Sequence, residues 1–428
     1  MKSHVMPQSR GSWDKLQLVS GGIGKRSGQA ESLSHLGAQA VAPETEALQS
    51  HSSRRDFLAA GLALPGLRSA SVAGLAAEPA LQYRTLGRTG LKVTTVGFGC
   101  MITSDPSVIQ RAADLGINYF DTARVYGRGN NERMVGAVLK SRRKSVILSS
   151  KSQARSKQAA LADLDASLRE LGTDYLDVWC IHDRTRGEEI TDELLEAQQI
   201  AKKDGKIRFA GVSTHRGQAS VIPAALKCGK IDVVISGYNF AMDKDLDPVL
   251  ESAHQAGLGL VAMKVMAGGF RNASYYPTTN ELRSQLKREG ALLAALKWAI
   301  RNPYIHSSIP SMVDMDQLDE NLKAMASPFT EADQKILSAR LEQIRPLYCR
   351  MCNRCEGTCP KGMPVPDVLR YLTYAEGYGQ FALGREKFLE LPSEVQKIRC
   401  DLCPSCSVSC SFGVKVAERL IRAQELLA

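Results

Sequence analysis

Eight cysteines near the C-terminal end repeat one spacing. Cys349, Cys352, Cys355 and Cys359, followed by Pro360, read C-x2-C-x2-C-x3-C-P; Cys400, Cys403, Cys406 and Cys410 read the same, with Ser411 in place of the proline. Thiolates at this spacing hold [4Fe–4S] clusters, because short loops let three of them cap one face of a cubane while the fourth reaches the other cluster. On that rule Cys349, Cys352, Cys355 and Cys410 serve one cluster, and Cys400, Cys403, Cys406 and Cys359 the other. Zinc sites and exported disulfides are the rivals. Zinc takes four ligands per site and has no use for a repeated 2-2-3 interval. Eight of the 11 cysteines lie in the last 80 residues, which is not how a disulfide framework usually reads.

A second set of reactive side chains lies upstream: Asp121, Tyr126, Lys151 and His182. A phenol near pKa 10 is a poor acid at neutral pH. A neighbouring ammonium favours the phenolate and lowers that pKa, and a carboxylate beside the ammonium keeps it charged and oriented. An imidazole hydrogen-bonds a substrate oxygen. Together the four can protonate a carbonyl oxygen while hydride reaches its carbon.

Those residues must be placed by the elements around them. From residue 81, short apolar runs alternate with amphipathic stretches. Strands are expected at Val93–Gly99, Ile117–Thr122, Val146–Ser150, Leu176–His182, Ile207–Ser213, Val233–Tyr238, Leu258–Met263 and Ser307–Pro310. Helices are expected between them, including Lys157–Leu171, Asp192–Lys203, Pro248–Ala256 and Leu292–Ile300. Eight strand–helix units give the arithmetic of an α/β protein with a (β/α)8 barrel, whose chemistry sits at the C-terminal ends of the strands. A doubly wound sheet would need fewer strands and a glycine-rich first turn, which is absent. Asp121, Lys151 and His182 fall at consecutive strand ends, with Tyr126 in the loop after Asp121. Between the cysteine runs, helices over Val365–Ala375 and Gln380–Leu391 suit a small α-helical ferredoxin-like iron-sulfur domain. The expected division is a leader over 1–80, the barrel over 81–327 and the iron-sulfur domain over 328–428. Cys100, Cys180 and Cys228 read as small apolar side chains of the barrel.

Phe120-Asp121-Thr122-Ala123 with Tyr126-Gly127, then Lys151, then His182, resembles the aldo/keto reductase family. The opening Leu86-Gly87-Arg88-Thr89-Gly90-Leu91-Lys92-Val93, the run Gly211-Val212-Ser213 and the pair Glu320-Asn321 are similar to that family's motifs. The resemblance implies Tyr126 as general acid, Lys151 and Asp121 as its tuning pair, and His182 as the substrate-orienting donor. It implies NAD(P) as hydride carrier, held by Ser213, Thr214, Tyr238, Asn239, Lys264, Glu320 and Asn321. The cradle departs from the family pattern. Ile235 stands where a glutamine is usual, Thr214 where asparagine is common, and Met263 where an aromatic ring stacks on nicotinamide. Lys264 follows; it can hold a diphosphate by charge or extend into solvent. Ser311 and Gln317, with Asp314 and Asp316 nearby, replace the basic residues that grip a 2′-phosphate, which argues against NADPH. Aldo/keto reductases fused to a two-cluster ferredoxin-like module form a subgroup that this chain is similar to.

Residues 1 to about 53 carry no sustained apolar period and read as disordered. Ser53-Arg54-Arg55-Asp56-Phe57-Leu58 resembles a twin-arginine (Tat) signal. A short apolar run to Leu67 and small-residue cleavage sites at Ser71-Val72-Ala73 or Gly74-Leu75-Ala76 complete a signal peptide. Export by the Tat route, to the periplasm or beyond, carries folded proteins and so suits a cofactor inserted beforehand.

The chain has 428 residues, 44% apolar, with a net charge of +10. The basic residues are scattered and form no stripe with aromatics, so nucleic acid is not expected as a partner. No apolar stretch is long enough to span a membrane. The function expected is interconversion of a carbonyl and an alcohol, coupled to electron transfer through two clusters. The partners are a small carbonyl or alcohol substrate and an electron-transfer protein. The alternative is a barrel without catalysis, acting as the scaffold of an electron-transfer subunit.

Overall fold

The computed structural model describes residues 81–242, 246–269, 290–352 and 354–428. The leader, signal peptide and cleavage sites expected over 1–80 lie outside the described residues. The chain opens with a hairpin of β1 (Tyr83–Thr85) and β2 (Lys92–Thr94), paired antiparallel with Tyr83 opposite Thr94. Its tight turn depends on Gly87, which has φ of 49° and lies so close to the barrel that a Cβ would sit 2.4 Å from the Gly259 nitrogen. Leu86, Leu91 and Val93 of the hairpin enter the barrel interior and pack with Tyr119, Ile147, Val178 and Val261.

Eight parallel strands follow: β3 (Phe98–Gly99), β4 (Tyr119–Asp121), β5 (Ile147–Ser152), β6 (Leu176–Ile181), β7 (Ile207–Thr214), β8 (Val233–Gly237), β9 (Gly259–Met263) and β10 (Ser307–Ser308). Each pairs with the next. The ring closes where Val96 bridges Ser308 and Gly99 bridges Ser311, so no edge is left open. The eight expected strands are all present, several of them shorter than the apolar runs that signalled them.

Helices cover the outside: α1 (Pro106–Asp114), α2 (Asn130–Leu139), α3 (Lys157–Leu171), α4 (Asp192–Lys203), α5 (Gln218–Cys228), α6 (Asp247–Gln255), α7 (Ala291–Arg301) and α8 (Met315–Ala326). Local chemistry sets their ends. Asp105 caps α1 ahead of Pro106, Ser156 caps α3, and Gly172 ends α3 in the left-handed conformation. The inward faces of these helices and the outward faces of the strands make the main core, with Phe98, Leu164, Trp179, Ile222, Leu250 and Leu318 buried in it. Cys100 and Cys180 are fully buried; Cys228, at the end of α5, is only partly so.

Helix α9 (Glu331–Ile344) opens with a Thr330/Asp333 capping box and is pinned to α7 by a Lys297–Asp333 ion pair at 3.1 Å. The remaining chain has its own core. The two short strands β11 (Cys355–Glu356) and β12 (Ser409–Cys410) pair antiparallel, Cys355 opposite Cys410. Around them lie α10 (Val365–Leu372), α11 (Phe381–Leu389), α12 (Ser393–Gln396) and α13 (Val416–Leu427), joined through Val368, Leu372, Phe388, Leu420 and Ala423. The helix expected over Val365–Ala375 instead changes pitch: α10 passes into a π-helical turn over Thr373–Gly377. Glu376 of that turn is buried and paired with the equally buried Arg419 of α13 at 2.7 Å, and with Arg422 at 2.9 Å. Among the described residues, no helix is long and apolar enough to cross a membrane.

Removing one member of a buried ion pair leaves an uncompensated charge and costs about 3 kcal/mol. Glu376→Gln should therefore lower the stability of the chain by about that amount, measured by denaturant unfolding. An unchanged midpoint would show that the π-helical turn does not need this pair.

Candidate active site

Parallel register brings the four candidate side chains to one mouth of the barrel. Asp121 is aligned with Ser149, and Lys151 with Cys180, so the ends of β4, β5 and β6 stand side by side. Asp121, Lys151 and His182 are buried. The Lys151 ammonium contacts the Asp121 carboxylate and donates to the Thr122 carbonyl oxygen at 2.6 Å. It also lies 5.3 Å from the centre of the Tyr126 ring. Tyr126 meets His182 edge-on, ring centroids 5.9 Å apart. A turn at Tyr126–Gly129, with Gly127 and Arg128 both at φ of 54°, follows the tyrosine in the loop after β4.

The electrostatics differ from the simplest expectation. Burial pushes the Tyr126 phenol above its ordinary range; Lys151 pulls the other way and Asp121 adds to the rise. The phenol therefore carries its proton at neutral pH, and the pull of Lys151 acts against a stronger burial effect. Burial also opposes the Lys151 charge, but Asp121, then Tyr126, lift it above its usual value, so the ammonium persists. Burial, reinforced by Lys151, drives His182 down to about 3. Its imidazole is neutral across the physiological range.

Asp121 and Tyr126 face a cavity of about 230 Å³ that His215, Met263 and Lys264 also line from the strand ends, with Ser311 ahead of α8 and Asp314 and Gln317 at its start. Gly377 and Tyr378 of the C-terminal module form part of its wall. Lys264 sits between two rings of that module, 5.2 Å from the centre of Tyr374 and 5.0 Å from that of Tyr378. The module is anchored to the strand ends by Arg370 on Asp183 at 3.1 Å and Arg216 on Asp367 at 3.2 Å. Lys264 thus does not run out into bulk solvent. Burial, with Arg370 adding to it, pulls its ammonium down to about 7.

The other residues expected to hold a nicotinamide cofactor are dispersed. Ser213 accepts from the Asp183 backbone N–H at 3.0 Å, and Thr214 donates to the Arg216 carbonyl at 2.6 Å. Tyr238 packs on Trp298 and accepts from Asn302, in the helical layer away from the cavity lining. Asn239 donates to the Lys264 carbonyl and to the Tyr348 hydroxyl, both at 3.0 Å, and so braces the module. Ile235 lies in the apolar barrel interior. Glu320 and Asn321 are on α8, buried, behind the cavity-lining Asp314 and Gln317. Asp314 is committed to the α8 cap, accepting from the Gln317 backbone at 2.8 Å and side chain at 2.9 Å. The rim at this point carries Asp314 and Gln317.

The eight cysteines assemble in two groups. Cys349 lies within electrostatic range of Cys355, Cys352 and Cys410, and Cys400 within range of Cys403, Cys359 and Cys406. The fourth cysteine of each run has crossed to the other group, and the β11–β12 register carries that exchange by setting Cys355 against Cys410. Lys361 approaches Cys403 Sγ at 3.4 Å. Among the described residues, no three His, Cys, Asp or Glu side chains converge as a single metal ion would require.

Sequence reasoning missed His215, Arg370, Tyr374 and Tyr378. His215 directly follows the Ser213-Thr214 pair at the end of β7, and Tyr371, Tyr374 and Tyr378 recur at helical spacing. Both signals were present in the chain, but only the docking of the module shows where they point.

A family model, the aldo/keto reductase family, matches residues 104–342. The chain is 30% identical over 310 residues to an L-galactose dehydrogenase of Arabidopsis thaliana, covering 62% of this chain and 96% of that protein. It is 29% identical over 302 residues to an uncharacterized oxidoreductase, YqkF, of Bacillus subtilis (strain 168), covering 61% and 97%. Among solved structures, the holo form of the aldo-keto reductase AKR11C1 from Bacillus halodurans aligns with a TM-score of 0.51 at 29% identity, over 61% of this chain and 96% of that one. The chain belongs to the aldo/keto reductase family. It is an oxidoreductase on a (β/α)8 barrel.

Lys264 titrates near 10.5 when unfolded. Between pH 7 and 10.5 the unfolded chain holds the extra proton, so stability rises with pH across that window. Lys264→Met removes the burden. It should melt above wild type at pH 7 and below, with the difference shrinking as pH approaches 10 in a thermal-melt series. A difference independent of pH would contradict the depressed lysine.

Proposed function

We propose that the barrel interconverts a carbonyl and an alcohol with Tyr126 as the proton donor, and that the C-terminal module exchanges electrons with the barrel through two [4Fe–4S] clusters. The contact of Lys151 with Asp121, under the ring of Tyr126, carries this reading.

In the reducing direction, Tyr126 gives its hydroxyl proton to the carbonyl oxygen. The phenolate left behind faces Lys151, whose charge Asp121 maintains; that field lowers the cost of the charge at the moment it appears. His182, neutral, donates an N–H to the same oxygen and fixes its position. In the oxidising direction Tyr126 takes the proton back. When bound, a nicotinamide would supply or accept the hydride, and the clusters would carry electrons singly. Ser311 and Gln317, at positions where basic residues that grip a 2′-phosphate are usual, would hold the nucleotide and favour NAD over NADP. The crossed grouping of the cysteines supports two clusters, with Cys349, Cys352, Cys355 and Cys410 at one and Cys400, Cys403, Cys406 and Cys359 at the other. Arg54-Arg55 and the apolar run after them support export by the Tat route, after the clusters have been inserted. A small protein electron carrier would then be the module's partner. Residues 81–327 and 328–428 remain the proposed limits of barrel and iron-sulfur domain; α9, which packs on α7, joins them.

Loss of a positioned acid costs roughly 10²- to 10⁴-fold in rate. Tyr126→Phe should lower kcat/KM for reduction of small aldehydes by that factor; unchanged turnover would remove Tyr126 from its role. For the clusters, Cys359→Ala and Cys400→Ala should each remove about half of the iron of the anaerobically purified protein, and the double variant no more than either. Additive loss in the double variant would show that Cys359 serves the cluster of its own run.

A further inference from the structure

We infer that Lys264 and His215 form an anion site inside the cavity, and that the substrate is a short oxo acid whose carboxylate binds there while its carbonyl faces Tyr126. The inference rests on the proposed carbonyl chemistry of this cavity and names its substrate class.

Among the described residues, the main charges around the cavity have carboxylate or cap partners, and Lys264 does not. Lys151 is neutralised by Asp121. Arg370 is held by Asp183 at 3.1 Å and Asp367 at 3.4 Å, and Arg216 also by Asp367. Asp314 is committed to the α8 cap. Lys264 lines the cavity with no carboxylate partner among the described residues; its one polar contact is the Met101 thioether at 3.9 Å. The two flanking tyrosine faces stabilise a cation only modestly compared with an anion. His215 lines the same cavity, is 7% exposed, and its Nδ1 has no hydrogen-bond partner. A buried polar atom without a partner is costly, and both groups would be satisfied by an anionic oxygen.

Lys264 also stands in an unusual backbone state. Its φ is 59°, a left-handed conformation that costs a non-glycine residue energy and tends to persist where function holds it. The strain turns the side chain at the end of β9 under the rings of Tyr374 and Tyr378. The cation is thus delivered by the barrel and covered by the C-terminal module. The same oxyanion chemistry occurs in the diphosphate of a dinucleotide. A carboxylate is favoured because Tyr126 and Asp121 line the same cavity as His215 and Lys264, so one short molecule can meet the anion site and the proton donor together.

The test is calorimetric binding to the full, cluster-loaded chain under anaerobic conditions, without turnover. The probes are pyruvate and succinic semialdehyde, the neutral methyl ester of each, and inorganic pyrophosphate. Wild type should bind at least one oxo acid about tenfold or more tightly than its ester. Lys264→Met should abolish that preference, Lys264→Arg should keep part of it, and the melting curve of each variant reports its folding. Tyr126→Phe should still bind the acid, so loss of the catalytic assignment would leave this result readable. Wild type that binds neither acid better than its ester would overturn the proposal. So would a Lys264→Met variant that keeps the preference, or one that loses only pyrophosphate and thereby assigns Lys264 to the cofactor diphosphate.

Discussion

A charged lysine buried at the mouth of a barrel is the constraint on which the rest depends. Lys151 is 1% exposed and Asp121 3%. Neither could stay ionised alone at that depth, and together they form a pair whose ammonium also donates to the Thr122 carbonyl. The pair requires β4 and β5 to be adjacent and in register, which the closed eight-stranded barrel imposes. It also requires a dry surrounding, which the hairpin plug below and the inward-facing valines and isoleucines provide. Once built, the pair fixes what the neighbouring phenol can do. Burial keeps Tyr126 protonated, and the ammonium beneath its ring makes release of that proton less costly than the burial alone would allow.

The C-terminal module enters this arrangement as part of the wall, not as a separate appendage. Arg370 and Asp367 reach the loops after β6 and β7, and the π-helical turn brings Tyr374 and Tyr378 over Lys264. The turn in turn leans on the buried Glu376–Arg419 pair inside the module. A second connection runs from the cysteine side: Tyr348, immediately before Cys349, accepts a hydrogen bond from Asn239, which also holds the Lys264 carbonyl. Cysteine group, module wall and cavity are therefore joined by short, buried contacts. An oxidoreductase whose cavity shares a wall with a cysteine-rich module has a physical reason to keep the two on one chain.

Much of this was legible from residue types and spacing. The alternation of apolar runs and amphipathic stretches marked all eight strands, because a buried parallel strand leaves a continuous apolar signature. Helices α3 and α4 matched their expected limits because caps and charge patterns define them locally. Asp121, Lys151 and His182 were readable as strand-end polar residues. For the residues expected to hold a cofactor, the chain alone does not show the long-range partners they take. Asn239 turned toward Tyr348, more than a hundred residues away, and Tyr238 toward the helical layer. The direction of the Tyr126 shift was also hidden: the sequence supplies the neighbouring lysine, but the weight of burial appears only once the barrel is closed and covered. The break of the helix after Leu372 left no sequence signal that propensity could read, since no proline or glycine interrupts it before Gly377.

The most direct test of one connected redox site is an anaerobic optical titration of the iron-loaded protein with NADH and then NADPH. Nicotinamide absorbance and the broad cluster band are followed together, before and after a small oxo acid is added. The connected arrangement predicts that NADH is oxidised as the cluster band bleaches, and that the oxo acid restores the band in wild type but not in Tyr126→Phe. A cluster band that neither nucleotide changes, in protein shown to contain iron, would contradict it.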